Sequence, residues 1–141
     1  MEDIKGYLGN YYKGKEKKKK EKGERREKKI KEIKQFFLEV VEPAFKEIEA
    51  AFKKYDKTVT IIIGEIDASI TIDDEEFTYS LLTKDTQYGI QPVPEIGYQT
   101  KEGKWLRQVG YMKSGTQDYT IKDFLKEDII QHFIEKHSSR V

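Results

Sequence analysis

The stretch TVTIIIGEIDASITIDDEEFTYSLL, residues 58–82, decides the fold class. β-branched residues crowd two short runs, 58–63 and 68–72, separated by Gly64-Glu65-Ile66-Asp67. In 77–82, Phe77, Tyr79 and Leu81 alternate with Thr78 and Ser80. Such residues favour a pleated, half-buried surface, and a period of two predicts three strands with turns at 64–67 and 73–76. The turns are too short for a parallel crossover, so the pairing is expected to be antiparallel.

Upstream the period changes. Ile30, Ile33, Phe37, Val40, Val41, Ala44, Phe45, Ile48, Ala51, Phe52 and Tyr55 recur every three or four residues, the stripe of a core-facing helix over 30–55. Pro43 lies inside it. Its ring presses on the carbonyl of Glu39 and its nitrogen cannot donate, which predicts a kink or break, with one bent helix preferred over two.

Downstream, residues 84–97 carry Gly89, Pro92, Pro94 and Gly97 and read as a long loop, the prolines arguing against a central strand. GYQT (97–100) and KWLRQVGYM (104–112) flank Lys101-Glu102-Gly103, a hairpin signal centred on Gly103. Thr120-Ile121-Lys122-Asp123 matches a capping box, and Phe124, Leu125, Ile129, Ile130, Phe133 and Ile134 continue it as a second amphipathic helix to about His137. The expected architecture is α+β: a long N-terminal amphipathic helix, a four- to five-stranded antiparallel sheet and a C-terminal helix, with both helices on one face of the sheet.

Ahead of this body lies a polyelectrolyte arm. Of the fifteen residues 15–29, ten are basic and four acidic, a local net of +6, whereas residues 30–141 carry 15 basic against 20 acidic residues, a net of −5. The overall +1 therefore joins a basic arm (1–29) to an acidic domain (30–141). Pairs such as Glu16–Lys20 and Glu24–Lys28 at i,i+4 favour a helical extension, and Gly23 opposes it. Clustered cations neutralise phosphates, so Lys15, Lys17, Lys18, Lys19, Lys20, Lys22, Arg25, Arg26, Lys28 and Lys29 are candidate contacts to a polyanion, either nucleic acid or an acidic protein. Tyr7, Tyr11 and Tyr12 stand beside them as stacking residues for a single strand. A solvated, solubilising extension is the competing reading. With no apolar face in 15–29, a membrane-lying helix is not expected.

The aromatic residues of the sheet region offer a second surface. Alternation places Trp105 opposite Leu106, so with helices on one face only, part of the set Tyr79, Tyr98, Trp105 and Tyr111 is expected on an exposed partner-contact face. Homodimerisation through an overhang of the helix 30–55 is a further expectation.

Catalytic and cofactor chemistry finds no support. The absence of cysteine removes thiolate metal sites, iron–sulfur clusters and cysteine nucleophiles. Scattered glycines make no phosphate cradle, and Asp73, Asp74, Glu75 and Glu76 lack the spacing of a calcium loop, reading instead as a solvated turn able to dock the basic arm. His132 and His137 sit five apart on a helix and cannot share a metal from one face. Asp128 at i−4 to His132 reads as an exposed surface ion pair, and His137 as a favourable charge at a helix end. No catalytic, cofactor-binding or metal-ligating residue is assigned. An alternative reading, an enzyme or a small-ligand carrier, would need a pocket between helices and sheet. No membrane-length apolar run and no secretory leader are visible, which predicts a soluble, cytoplasmic protein, and the Lys/Glu-rich composition resembles that of proteins from hot environments.

Overall fold

The computed structural model describes residues 26–113 and 115–139. Contacts divide the chain into two compact units, Met1–Glu32 and Ile33–Val141. In the first unit, residues 26–32 are α-helical and Arg26, Lys28 and Lys29 are exposed. Lys15, Lys17, Lys18, Lys19, Lys20, Lys22 and Arg25 lie outside the described residues.

In the second unit the helical chain runs unbroken from residue 33 to 53, through a π-helical turn Phe37–Val41 into helix α1, Glu42–Lys53. Pro43 causes neither a break nor a clash, because the wider turn precedes it: Glu42 donates to the carbonyl of Phe37, five residues back, and proline begins the next turn. Phe36, three residues after Ile33 and four before Val40, is buried beside Phe37, and both face the core together with Val41, Ala44, Phe45 and Ile48. At the other end the helix stops at Lys53, which leaves Tyr55 exposed, and Ala51, within the helix, is exposed as well rather than in the core.

Five strands follow: β1 Val59–Ile63, β2 Ala68–Ile72, β3 Phe77–Thr86, β4 Gly89–Gln99 and β5 Trp105–Val109. They form one antiparallel meander in chain order. The expected loop at 84–97 is corrected: it is the end of β3, the two-residue turn Gln87-Tyr88 and most of β4, part of a ten-pair hairpin from Phe77↔Tyr98 to Thr86↔Gly89. The prolines are tolerated because of the way their nitrogens point. Pro94 accepts from Gly110 N–H through its carbonyl, so its nitrogen, and by period two that of Pro92, faces the β5 side. There β5 ends at Val109, opposite Glu95, and no ladder donor is required.

One face of the sheet makes the core. Ala68, Ile70 and Ile72 of β2, Phe77, Tyr79 and Leu81 of β3, and Ile90 and Ile96 of β4 pack with the helical residues above and with Ile129 and Phe133. The latter two belong to helix α2, Lys126–Ser138. Thr120 and Asp123 do form a capping box, but for the short 3-10 turn Ile121–Asp123; Phe124 and Leu125 then become extended, and α2 starts afresh. Burial of Phe124 drives this split, with Asp128 accepting from Leu125 N–H to start the new helix.

The β2–β3 turn is strained: Asp73, Asp74 and Glu75 all have positive φ, at 50°, 51° and 82°. Asp73 is held by Lys57 at 2.7 Å and by Thr58 N–H. Glu75 has no such anchor among the interactions described, so Glu75→Gly is expected to raise the unfolding free energy by about 0.5–1 kcal/mol through relief of backbone strain. A lowered urea midpoint for E75G would refute this.

Candidate functional site

The outer face of the sheet carries no member of the hydrophobic core. By strand alternation and register it presents Thr60 and Ile62, Ser69 and Thr71, Thr78 and Ser80, then Glu95, Gly97 and Gln99, and finally Trp105, Arg107 and Val109. Two depressions open along it. One of about 240 Å³ lies between Thr78, Ser80, Glu95, Gly97, Trp105 and Arg107. Another of about 150 Å³ continues past Ser69, Ser80 and Arg107 to Ile62 and Leu82. Glu95 is nearly buried and accepts from Arg107 Nε, so this carboxylate is neutralised by its cross-strand neighbour, while Asp67 borders the smaller depression. Trp105 lies across Gly97; a Cβ there would collide with the indole ring, which explains why this strand position is a glycine.

β5 is exposed along its whole length. Leu106, on the core side, is as open as Trp105 on the outer side (43% and 47%), because the helix layer does not reach this strand. Its free edge is also readable. Thr100 N–H donates to Lys104 and Gly110 N–H to Pro94, so the even-numbered residues between them bond to β4. Trp105, Arg107 and Val109 consequently turn their backbone N–H and C=O groups outward, away from the sheet.

Of the expected contact residues, Trp105 and Tyr111 are exposed. Tyr79 is not: it points into the core and is fully buried. Tyr98 pairs with Phe77 and Leu106 on the core side and is half-buried. The four therefore do not form one face. Tyr79 and Tyr98 share strand parity with the core residues Phe77 and Ile96, a distinction that requires knowing which face the helices take.

Tyr79 instead belongs to a buried polar network. Its hydroxyl lies 2.6 Å from Nδ1 of His132, and His132 Nε2 lies 3.2 Å from the carbonyl of Tyr111. The carbonyl can only accept, so Nε2 carries the proton and Nδ1 accepts from the tyrosine hydroxyl. His132 is thus a buried core residue rather than an exposed partner of Asp128, which is engaged with Leu125 N–H. Burial pushes the Tyr79 hydroxyl far above its ordinary range and holds His132 below the usual imidazole value. His137 stacks on Phe133 and is likewise held low by burial, with Lys57 adding to the effect. Tyr79 and His132 tie α2 and the segment after β5 to the core, whereas His137, half-buried, also borders a depression of about 250 Å³ with Glu76, Tyr98 and Thr100.

A pH dependence follows. Both imidazoles are neutral in the fold but protonate near pH ~6.5 in the unfolded chain, so stability is full above that pH and falls as pH drops below it until the folded values are passed. Urea midpoints measured from pH 7.5 down to 5 should decline from about pH 6.5, and less steeply in His137→Gln. A flat profile would contradict the assignment.

Among the described residues no helix is long and apolar enough to cross a membrane, and no group of three or more acidic or histidine side chains is placed to hold a metal ion. No family model matches the chain, and neither a curated protein nor a solved structure matches it.

Proposed function

We propose that this protein is a non-enzymatic interaction module that takes an extended segment of a partner polypeptide along β5, as a sixth strand. The observation that carries this reading is the fully exposed β5, whose residues Trp105, Arg107 and Val109 direct backbone donors and acceptors outward. Main-chain hydrogen bonds supply affinity in such strand addition, and alternate side chains supply specificity. Here the added strand would meet Trp105, Arg107 and Val109 on one face and Leu106 on the other. Natural edges usually carry protection against pairing, whereas this one offers large apolar side chains.

The test is selection of displayed extended peptides on the full chain, followed by Val109→Pro. Proline at this position removes an outward-facing donor without touching the β4 ladder, so the fold survives while peptide affinity falls by about tenfold or more. Trp105 is the sole tryptophan, and its emission should shift on binding. Tight binders indifferent to V109P that leave Trp105 emission unchanged would overturn the reading.

A second reading concerns the arm. Its local net of +6 favours a polyanionic partner. In the full chain, the quadruple variant K17Q/K18Q/K19Q/K20Q should lower affinity for oligonucleotides and flatten the plot of log affinity against log salt by roughly 0.7 per lost phosphate contact on a single strand. Unchanged affinity and slope would eliminate this reading.

A further inference from the structure

β5 is shorter than the strand it pairs with. It stops opposite Glu95, while β4 continues to Gly89, and the stretch Gly89–Pro94 has no strand on that side. The chain beyond Gly110 passes this notch at Tyr111 and returns at Gln117–Tyr119, making a second wall; Gln91 Nε2 donates to the carbonyl of Gln117 and joins the two walls. Between them lies a groove of about 370 Å³, at the lower end of the ~300–1,000 Å³ typical of ligand sites.

The lining has a consistent chemistry. Tyr88 and Tyr111 border the groove and are 53% and 66% exposed, each offering an aromatic ring with a polar tip. Carboxamides of Gln87, Gln91 and Gln117 supply donors and acceptors. Among the described residues Lys84 is the only charged one lining it. Among them no carboxylate lines the groove, in a body that carries 20 acidic residues against 15 basic, and Asp118, within the second wall, is engaged by the Thr116 hydroxyl. Stacking surfaces, amides suited to hydrogen-bonding ring edges and a lone ammonium are the features that recognise an unpaired base with its phosphate.

We propose that this groove binds a heteroaromatic base carrying a phosphate, presented by single-stranded nucleic acid. The proposal rests on the reading of the arm as a polyanion contact: the arm supplies sequence-independent attraction to phosphates, and the groove seats a base. A free nucleotide would satisfy the same chemistry in the groove but would gain little from the arm.

The experiment is fluorescence anisotropy of labelled oligo(U), oligo(A) and oligo(dT) of about 12 nucleotides with the full chain, each titration repeated at several salt concentrations and with unlabelled UMP and AMP as competitors. Three variants accompany it: Y88A/Y111A, Y88F/Y111F and K17Q/K18Q/K19Q/K20Q. Loss of stacking in Y88A/Y111A is expected to weaken oligonucleotide binding by about tenfold or more with an unchanged salt slope, while Y88F/Y111F retains binding because the ring and not the hydroxyl is used. The lysine variant should flatten the salt slope. Competition by UMP or AMP that is lost in Y88A/Y111A and indifferent to the lysine variant would place the base chemistry in the groove with a free nucleotide as its source. Oligonucleotide binding that weakens in the lysine variant but is indifferent to Y88A/Y111A overturns the groove and leaves the arm reading standing. Absence of binding by the unaltered chain at low salt overturns both.

Discussion

Replacing Phe133 with alanine is expected to lower the unfolding free energy by about 3–5 kcal/mol, the largest single-residue effect anticipated here. Phe133 is 1% exposed and is the hub of an aromatic cluster, with edge contacts to Phe52, Phe77 and Tyr79 at 5.6–6.0 Å between ring centroids and His137 stacked on it at 5.7 Å. Truncation removes transfer free energy and leaves a cavity whose walls are rings anchored on β3, α1 and α2, three elements that cannot all move in. Domains of this size are stable by only about 5–15 kcal/mol, so F133A should be partly unfolded at modest temperature. Urea unfolding followed by far-UV circular dichroism measures it. A loss below about 1 kcal/mol would mean that the cluster is loosely packed.

The second large effect concerns the buried hydroxyl. Tyr79→Phe preserves the ring but strips His132 Nδ1 of its donor at 5% exposure, an unsatisfied buried acceptor costing about 1–3 kcal/mol. The double variant Y79F/H132L replaces both partners with apolar groups and leaves only the Tyr111 carbonyl unpaired. It should therefore cost less than the sum of its single variants, a coupling of about 0.5–3 kcal/mol in a double-mutant cycle. Additive losses would show that the 2.6 Å contact contributes nothing beyond packing.

Much of the architecture could be read from residue patterns. The alternation in FTYSLL and the β-branched runs before it placed β1, β2 and the start of β3, and the stripe from Ile33 to Phe52 placed the long helix. Three departures share one cause, that a pattern rule assumes an environment. Pro92 and Pro94 argue against a strand only where the missing donor faces a neighbour, and here it faces the space beyond Val109. Of the adjacent pair Phe36 and Phe37, both compatible with three-and-four spacing, the stripe takes only Phe37, and the burial of both depends on how wide a face the helix turns to the core. Capping-box chemistry at Thr120 was correctly visible, but the burial of Phe124 that ends the turn after three residues is a tertiary effect.

The contact surface was legible only in part. Trp105 opposite Leu106 followed from alternation, whereas Tyr79 required knowing which face the helices occupy. Nothing local marks His132 as buried, since its partners come from Tyr79, 53 residues away, and Tyr111, 21 away. The groove at Tyr88 and Tyr111 is likewise assembled from β3, β4 and the chain after β5, and its signal is an absence of carboxylates among the described lining residues that becomes visible only once those segments meet.

Because β5 is open on both faces, it is retained largely by its backbone bonds to β4 and by the contact of Arg107 with Glu95. Such a strand detaches at a free-energy cost well below that of global unfolding. Among the tryptic cuts, which also fall at exposed cations such as Arg26, Lys101 and Lys104, the one after Arg107 should therefore proceed at a rate set by the fraying of one strand, while the cluster around Phe133 stays intact. The strand thus reports on its own edge, and an occupant would be measured directly as the slowing of the cut after Arg107, followed by the mass of its product.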